Sequence, residues 1–469
     1  MRFSLFVHME RWDESVSHRE CFENLTELTL LAEAGGFSTV WIGEHHSMEY
    51  TISPSPMPQL AYLAARTSRI RLGMKFGLET MRALVAALGH PERAFPSLLV
   101  AGTNGKGSVV AYVDSVLRAS GLRVGRYTSP HLVHVRERIV VSGRSISDRA
   151  LDREVARVRA AAEAIAAAGT LPAQPTYFEV LTAAAFLHFQ RARVDIAVLE
   201  VGMGARLDAT NVVEPLASAI VSVDRDHEAY LGSTLAAIAR EKAGVLRRGR
   251  ATVLGPMAAE ARGAIEKAAD RVGARLAEAK IPKAPPSPLP GAHQVANAAV
   301  AVTLLEEARA TGVAVDLSKV AEGIARTRWP GRLQRLPGRP PLLVDGAHNP
   351  AAARALAHEL RMEEPFVLVF AAMADKDIAA MGRILFPLAR EVVLTRVPGD
   401  RAAAPDAIVR RVGASARRAR KVGRVRDALA LARRLAGPRG LVVAAGSLYL
   451  AGEVLRSVAS VRRGRRPRK

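Results

Sequence analysis

The stretch that most restricts this chain is residues 97–110, Ser-Leu-Leu-Val-Ala-Gly-Thr-Asn-Gly-Lys-Gly-Ser-Val-Val. An apolar run reads as a buried strand, a loop of small residues follows, and a helix-compatible stretch comes next. Small residues let backbone N–H groups close around phosphate oxygens at the positive end of the new helix. Gly102, Thr103, Asn104, Gly105, Lys106, Gly107 and Ser108 are the candidate cradle. Lys106 supplies a point charge for β- and γ-phosphates, and Ser108 can reach a phosphate or a metal. The usual pattern has Gly, four residues, then Gly-Lys-Ser/Thr. Here Val100 stands at the first position and Gly107 separates Lys106 from Ser108. An ordinary glycine turn is the alternative, and the strand-to-helix context favours nucleotide.

Alternating strands and helices run on both sides of this loop, which is the order of a parallel α/β architecture. Phe3–His8, Thr39–Ile42 and Ile70–Gly73 read as strands, with helices at Cys21–Gly36 and Pro58–Ala65. The pattern restarts with a helix at Leu78–Leu88 and continues to a strand at Ala251–Leu254. The Pro-rich stretch Ile281–Pro290 interrupts it, and Trp329-Pro330-Gly331 reads as a hinge. Further strands are expected at Leu342–Val344, Phe366–Phe370, Val392–Thr395 and Leu441–Ala444. The boundaries expected from this reading are 1–74, 75–328 and 329–469.

Composition narrows the function classes. Hydrophobic residues make up 49% of the 469, enough for packed cores and too many for a disordered chain. One cysteine, Cys21, excludes a disulfide scaffold or a cysteine-built zinc site. No apolar run approaches the roughly 18 residues of a membrane span, and the N-terminus lacks a signal-peptide layout. A cytoplasmic monomer without membrane attachment is expected. The net charge of +22 invites a nucleic-acid reading, but the arginines are scattered and aromatics are only 5%, too few for base-stacking platforms. Specific nucleic-acid binding is not expected, and the basic tail 461–469 reads as a solvated end.

Beyond the loop, a series of motifs recurs in a fixed order. It includes Tyr127-Thr128-Ser129-Pro130-His131, Glu137-Arg138-Ile139, Phe178-Glu179-Val180-Leu181-Thr182 and Glu200-Val201-Gly202-Met203-Gly204. Asp226-His227, Glu241-Lys242-Ala243-Gly244, Gly291-Ala292-His293-Gln294 and Asn297-Ala298 follow. Trp329-Pro330-Gly331-Arg332, Asp345-Gly346-Ala347-His348-Asn349-Pro350, Asp375-Lys376-Asp377 and Gly446-Ser447-Leu448-Tyr449 complete it. Over about residues 77–457 this series resembles the folylpolyglutamate synthase/dihydrofolate synthase family, relatives of the Mur ligases. The resemblance implies a phosphate-loop ATPase domain and a smaller Rossmann-like C-terminal α/β domain. It implies ATP and Mg²⁺ as cofactors, a folate or dihydropteroate acceptor, and L-glutamate.

The implied chemistry has a physical logic. A carboxylate is a poor electrophile until ATP converts it to an acyl phosphate, which the glutamate amine then attacks. Such transfer needs an in-line γ-phosphate and neutralised charge. The resemblance assigns magnesium to Ser129, Glu179 and His227, and catalytic roles to Lys106, His227 and Lys242, the last being the lysine the family carbamylates. Asn297, Arg332, Asp345 and His348 are assigned to the nucleotide. Each has a plainer alternative: a core histidine for His227, an amphipathic-helix lysine for Lys242, a strand-end turn for Asp345, and a surface pair for His348-Asn349. Glu179 sits among apolar neighbours, so a partner for its carboxylate is expected. Between Leu254 and Gly291 the chain is shorter than the family's usual length, and Asp224-Arg225 stand where smaller or apolar residues are common.

Residues 1–74 carry a different resemblance. Ala32-Glu33-Ala34-Gly35-Gly36-Phe37, Val40-Trp41-Ile42-Gly43-Glu44-His45-His46 and Thr67-Ser68-Arg69-Ile70-Arg71-Leu72-Gly73 are similar to the start of luciferase-like flavin monooxygenases. These are βα barrels of which about a quarter is present, so a partial barrel-like fragment is expected. It lacks the later strand ends where a barrel's phosphate site lies. A flavin oxidoreductase and a Mur-type ligase with another acceptor are the competing functions. Glu44-His45-His46 reads as structural rather than metal-binding. The join at 73–77 has no linker composition and reads as a fusion or assembly chimera.

Overall fold

The computed structural model describes residues 4–7, 17–42, 57–74, 77–171, 174–281, 284–363, 365–399 and 401–464. The Glu44-His45-His46 cluster, Lys75-Phe76 at the join, and 465–469 of the tail lie outside them. By compactness the chain falls into two units, 1–90 with 155–184, and 91–154 with 185–469.

In the first unit β1 (Ser4–Val7), β2 (Thr39–Ile42) and β3 (Arg71–Met74) form a parallel sheet in that order. The helices His18–Ala34 and Met57–Ala64 connect them. Leu25, Ala32, Val40, Leu63 and Ile70 make its core, while Leu28, Leu31 and Tyr62 remain exposed. Glu33 closes the last turn, accepting backbone N–H groups of Ser68 (2.9 Å) and Ile70 (2.9 Å).

The second unit contains two sheets. The larger is built from β4 (Ser97–Ala101), β5 (Val124–Tyr127), β6 (Ile139–Val141), β7 (Arg144–Ser145), β8 (Ile196–Glu200), β9 (Ala217–Ile220), β10 (Ala251–Leu254) and β11 (Arg275–Glu278). Their spatial order is β11-β10-β9-β4-β8-β5-β6-β7. Only β6 runs against the rest, pairing antiparallel with β5 on one side and β7 on the other. Every residue of β4 is buried, as a central strand covered on both faces requires. The chain leaves β4 toward β5 on one side and later returns to β9 on the other. The carboxyl end of β4 is therefore a topological switch point, where ligands of open α/β sheets bind. The shortened 255–290 segment forms the helix Ala259–Val272 and the half-exposed edge strand β11, which pairs in register with β10.

The smaller sheet comprises β12 (Gln334–Leu336), β13 (Leu342–Val344), β14 (Phe366–Phe370), β15 (Glu391–Arg396), β16 (Arg420–Arg424) and β17 (Leu441–Ala445). Its order is β12-β13-β17-β14-β15-β16, with β12 alone antiparallel. Along β14, Phe366, Leu368 and Phe370 enter one apolar cluster, and Val367 and Val369 the other. That two-residue alternation with both faces buried marks a sheet sandwiched by helices.

Candidate functional site

The phosphate-loop candidate leaves β4 and enters the helix Lys106–Ala119 at Gly105. Gly105 has φ +84° and Gly102 φ +151°, conformations that favour glycine. A Cβ on Gly102 would stand 3.1 Å from the Val221 side chain, and one on Gly105 would press on Asn297 Oδ1. Bonds from the strand β9 side brace the loop. Thr103 N–H donates to Ser222 O at 2.9 Å, Asn104 N–H to Ser222 Oγ at 2.9 Å, and Asp224 N–H to Thr103 Oγ1 at 3.1 Å. The unusual Asp224 thus bonds through its backbone, and its carboxylate accepts Asn104 Nδ2 at 3.4 Å. No side chain caps the helix at Gly105, which leaves its positive end to an anion. Lys106 Nζ folds over the loop to Gly102 O at 3.0 Å and Thr103 O at 3.3 Å.

Sheet register brings a carboxylate to this loop. Val100 pairs with Glu200 and Leu199 with Tyr127, so the ends of β8 and β5 flank the start of the loop. Glu200 is buried and accepts the Ser129 N–H at 3.1 Å. Burial pushes its carboxyl pKa up, against the charges of Lys106, Arg332 and Arg138.

His227 follows β9 with φ +53°. Burial, with Lys376 and Lys106 adding to it, lowers its imidazole to about 4 despite Asp226. It is neutral at pH 7 and offers a lone pair. Asp226 binds Lys376 Nζ at 2.7 Å, and Nζ lies 3.3 Å from His227 Nε2. Burial alone would raise the Asp226 carboxyl, but Lys376 and the two histidines hold it well below the usual carboxylate range. Lys242 is 3% exposed. Burial, with Lys106 second, lowers its ammonium to about 7.

The smaller sheet reaches the same place. Asn349 Nδ2 donates to Asn104 Oδ1 at 2.9 Å and to Asp226 Oδ2 at 3.0 Å, while its Oδ1 caps the helix Pro350–Leu360. Asp345 accepts the N–H groups of Leu333 and Ala347, each at 2.8 Å, which braces the strand-end turn. His348 Nδ1 donates to Gly346 O at 2.9 Å and Nε2 faces Asp226 at 3.8 Å. Arg332 Nη1 donates to Gly331 O at 3.0 Å, with the charges of Asp345 and Glu200 nearby. Asn297 Nδ2 donates to Gln294 Oε1 at 3.0 Å, and its Oδ1 faces Gly105.

Lys106, Ser129, His227, Lys242, Asn297, Arg332, Asp345 and His348 all belong to the second unit. Glu179 belongs to the first. It is half-exposed, and its carboxylate accepts the Thr176 N–H at 2.7 Å while Thr176 Oγ1 accepts the Glu179 N–H at 3.2 Å. That is a reciprocal cap on the helix Tyr177–Ala192, readable from Thr-x-x-Glu. Within the second unit, Glu200 is the carboxylate that accepts the Ser129 N–H.

These donors fit a hard cation sharing its shell with phosphate: a carboxylate, a hydroxyl and a neutral imidazole. Among the described residues no three His, Cys, Asp or Glu groups cluster as a closed metal cage. Mg²⁺ in phosphate sites usually takes one or two carboxylates and completes its shell with phosphate and water. The loop, with its uncapped helix end and Lys106, fits a polyphosphate.

Comparison with known proteins agrees with this geometry. Residues 100–262 match the Mur ligase middle domain, and residues 331–448 the Mur ligase glutamate ligase domain. The solved folylpolyglutamate synthase of Mycobacterium tuberculosis, complexed with ADP and AMPPCP, is 34% identical with a TM-score of 0.75. The match covers 84% of this chain and 96% of that one. This chain belongs to the folylpolyglutamate synthase/dihydrofolate synthase family. The Yersinia pestis bifunctional member, complexed with AMPPNP and a Mn ion, is 30% identical with a TM-score of 0.72, covering 82% and 94%. A probable bifunctional folylpolyglutamate synthase/dihydropteroate synthase of Halobacterium salinarum is 40% identical over 82% of this chain. The chain spans 49% of that protein and 48% of its Haloferax volcanii counterpart. Residues 1–76 match luciferase-like monooxygenase.

Within this family frame, four site-forming residues escaped a sequence reading of roles: Glu200, Asp226, Asn349 and Lys376. All lie in quoted motifs. The available signal for Asn349 was the Asn-Pro pair of a capped helix start; the fold buries it, where the plainer reading had a surface residue.

Proposed function

We propose that the chain is an ATP-dependent ligase that joins L-glutamate to the carboxylate of a folate or dihydropteroate acceptor through an acyl phosphate. The observation that carries this reading is the convergence, around one phosphate loop, of Lys106, the Ser129–Glu200 pair and the Asn349–Lys376 contacts from the smaller sheet. ADP, AMPPCP and AMPPNP in the solved relatives, and the glutamate-ligase match of residues 331–448, support it.

In this mechanism the loop N–H groups and Lys106 hold the β- and γ-phosphates. Arg332 approaches them from the connector at 329–332. Together they neutralise charge as the γ-phosphoryl group passes to the acceptor carboxylate. The acyl phosphate is then attacked by the glutamate amine, phosphate leaves, and an amide forms. Ser129, the neutral His227 and a carboxylate would hold Mg²⁺, which supplies further charge neutralisation. Glu200 is favoured for that carboxylate by its bond to Ser129, with Glu179 the alternative from family resemblance. Asn297, Asp345 and His348 orient the nucleoside end. A Lys242 amine near neutrality can take up CO₂ as a carbamate, because only the unprotonated amine attacks CO₂.

The reading extends to a monomer of the cytoplasm without specific nucleic-acid binding, with ATP handling in 75–328 and 329–469 as the glutamate-ligase part. Among the described residues no helix is long and apolar enough to cross a membrane. Mass spectrometry of products from 7,8-dihydropteroate or tetrahydrofolate with glutamate and Mg-ATP tests the core claim. A glutamyl adduct is expected; unchanged acceptors in folded, nucleotide-binding protein would refute it.

A further inference from the structure

Behind the phosphate loop lies a second cluster that this mechanism does not use. Asp114 stands on the loop helix Lys106–Ala119, and its side chain is 1% exposed. Arg126 reaches it from β5, Nη1 to Oδ2 at 3.3 Å. Arg118 adds a second contact at 3.2 Å from the same helix. The Arg126 guanidinium lies over the Trp329 ring, 5.1 Å from its centroid. The indole also rests on the loop helix itself, since a Cβ on Gly107 would stand 2.9 Å from indole Nε1 and Cζ2.

These contacts tie a strand, the loop helix and the connector together. Arg126 is three residues before Ser129. Asp114 and Gly107 share the helix that Lys106 begins. Trp329 is three residues before Arg332. Asp114 Oδ1 and Arg126 Nε have no hydrogen-bond partner among the described residues. Buried polar groups are normally satisfied, so maximal stability is a poor account of this arrangement. Burial also pushes the Arg126 pKa down, with Asp114 opposing it.

We propose that Arg126, held between Asp114 and the Trp329 indole, is a positioning residue that couples occupancy of the phosphate loop to the placement of Arg332 by the connector. The inference deepens the ligase reading and rests on the role given there to Arg332. When phosphates enter the loop, any shift of the Lys106–Ala119 helix is passed through Gly107 and Asp114 to the indole. The indole then carries Pro330, Gly331 and Arg332 with it. Loss of the stack leaves nucleotide binding in place and misaligns the arginine for transfer.

The test uses the full chain carrying Trp12→Phe and Trp41→Phe, so that Trp329 is the only fluorophore of its kind. Mg-AMPPNP is expected to change its emission. Arg126→Leu should abolish that change while AMPPNP affinity by equilibrium dialysis stays within about threefold. In ligase assays on the otherwise native chain, Trp329→Leu should lower kcat about tenfold, the scale of one desolvated cation–π contact. KM for ATP should stay nearly constant, and Trp329→Phe should recover most of the rate. The double variant Arg126→Leu/Trp329→Leu should be no slower than either single one. Asp114→Leu/Arg126→Leu removes both buried charges and leaves only the part-exposed Arg118 without its partner, so it separates misfolding from uncoupling: it should melt like the native chain yet keep the low kcat.

An emission insensitive to nucleotide, a native kcat in Trp329→Leu, or multiplying rate losses in the double variant would overturn the coupling. A native chain without ligase activity would refute the ligase reading, and the fluorescence experiment would still decide the coupling.

Discussion

The sheet β1-β2-β3 and the sheet built around β4 are both parallel, and both begin as strand, helix, strand. They differ in closure. β4 is flanked by β8 and β9, buried throughout, and packed beneath the helices Lys106–Ala119 and Ala292–Ala310. The β1–β3 sheet has a small core and leaves Leu28, Leu31 and Tyr62 on its helices exposed. A family match over 1–76 therefore comes without the strand ends that give a barrel its cofactor site, whereas the match over 100–262 comes with a switch point and a loop. Similarity transfers function only where the elements that build the site are present.

Substitutions in the two regions should separate accordingly. The largest effect is expected for Lys106→Ala, which should cut glutamate-dependent ATP turnover by about 100-fold or more with the melting curve preserved, on the scale of lost charge stabilisation in phosphoryl transfer. Native turnover would discard the loop. Glu200→Gln should lower turnover about 100-fold and raise the Mg²⁺ needed for half-activity. Glu179→Gln should instead act mainly as a cap change of about 1 kcal/mol, read in thermal unfolding. Reversed outcomes would move the metal role to Glu179.

Core truncations sharpen the same contrast. Leu99→Ala in β4 should cost about 2–5 kcal/mol and reduce activity at elevated temperature. Leu25→Ala in the first unit should leave the ligase melting transition and the turnover unchanged. His348→Ala should weaken ATP binding about tenfold with a smaller effect on kcat, because one hydrogen bond to a ligand is at stake.

The last contrast is a pH slope. The folded Lys242 titrates at about 7, below its unfolded value, so the unfolded chain binds the proton more readily between the two. Stability should then rise with pH from about 7 toward the ordinary lysine range near ~10.4. Lys242→Met should flatten that slope in denaturant titrations made across the range. In the native protein, ¹³C-bicarbonate should yield a carbamate carbonyl signal that Lys242→Met lacks.

Much of the fold was legible. The strands Ser97–Ala101, Ala251–Leu254, Leu342–Val344 and Phe366–Phe370 stand where apolar runs between turn residues placed them. β7, β12 and β16 did not declare themselves, because short or edge strands with polar residues such as Arg420-Lys421 lack an apolar run, and β6, though apolar, is only three residues long. The loop was readable from its small residues. The place of Glu200 was not: only the pairing of Val100 with Glu200 sets that carboxylate beside the loop. Likewise Asp226, Asn349 and Lys376 are far apart in sequence and meet only through the fold.

The most direct test of the central claim is glutamate-dependent phosphate release from Mg-ATP by the full chain, with 7,8-dihydropteroate and separately with tetrahydrofolate. Turnover is expected with at least one acceptor, with its loss in Lys106→Ala and no flavin absorbance in the purified protein. Release independent of glutamate and acceptor, or turnover surviving in Lys106→Ala, would contradict it.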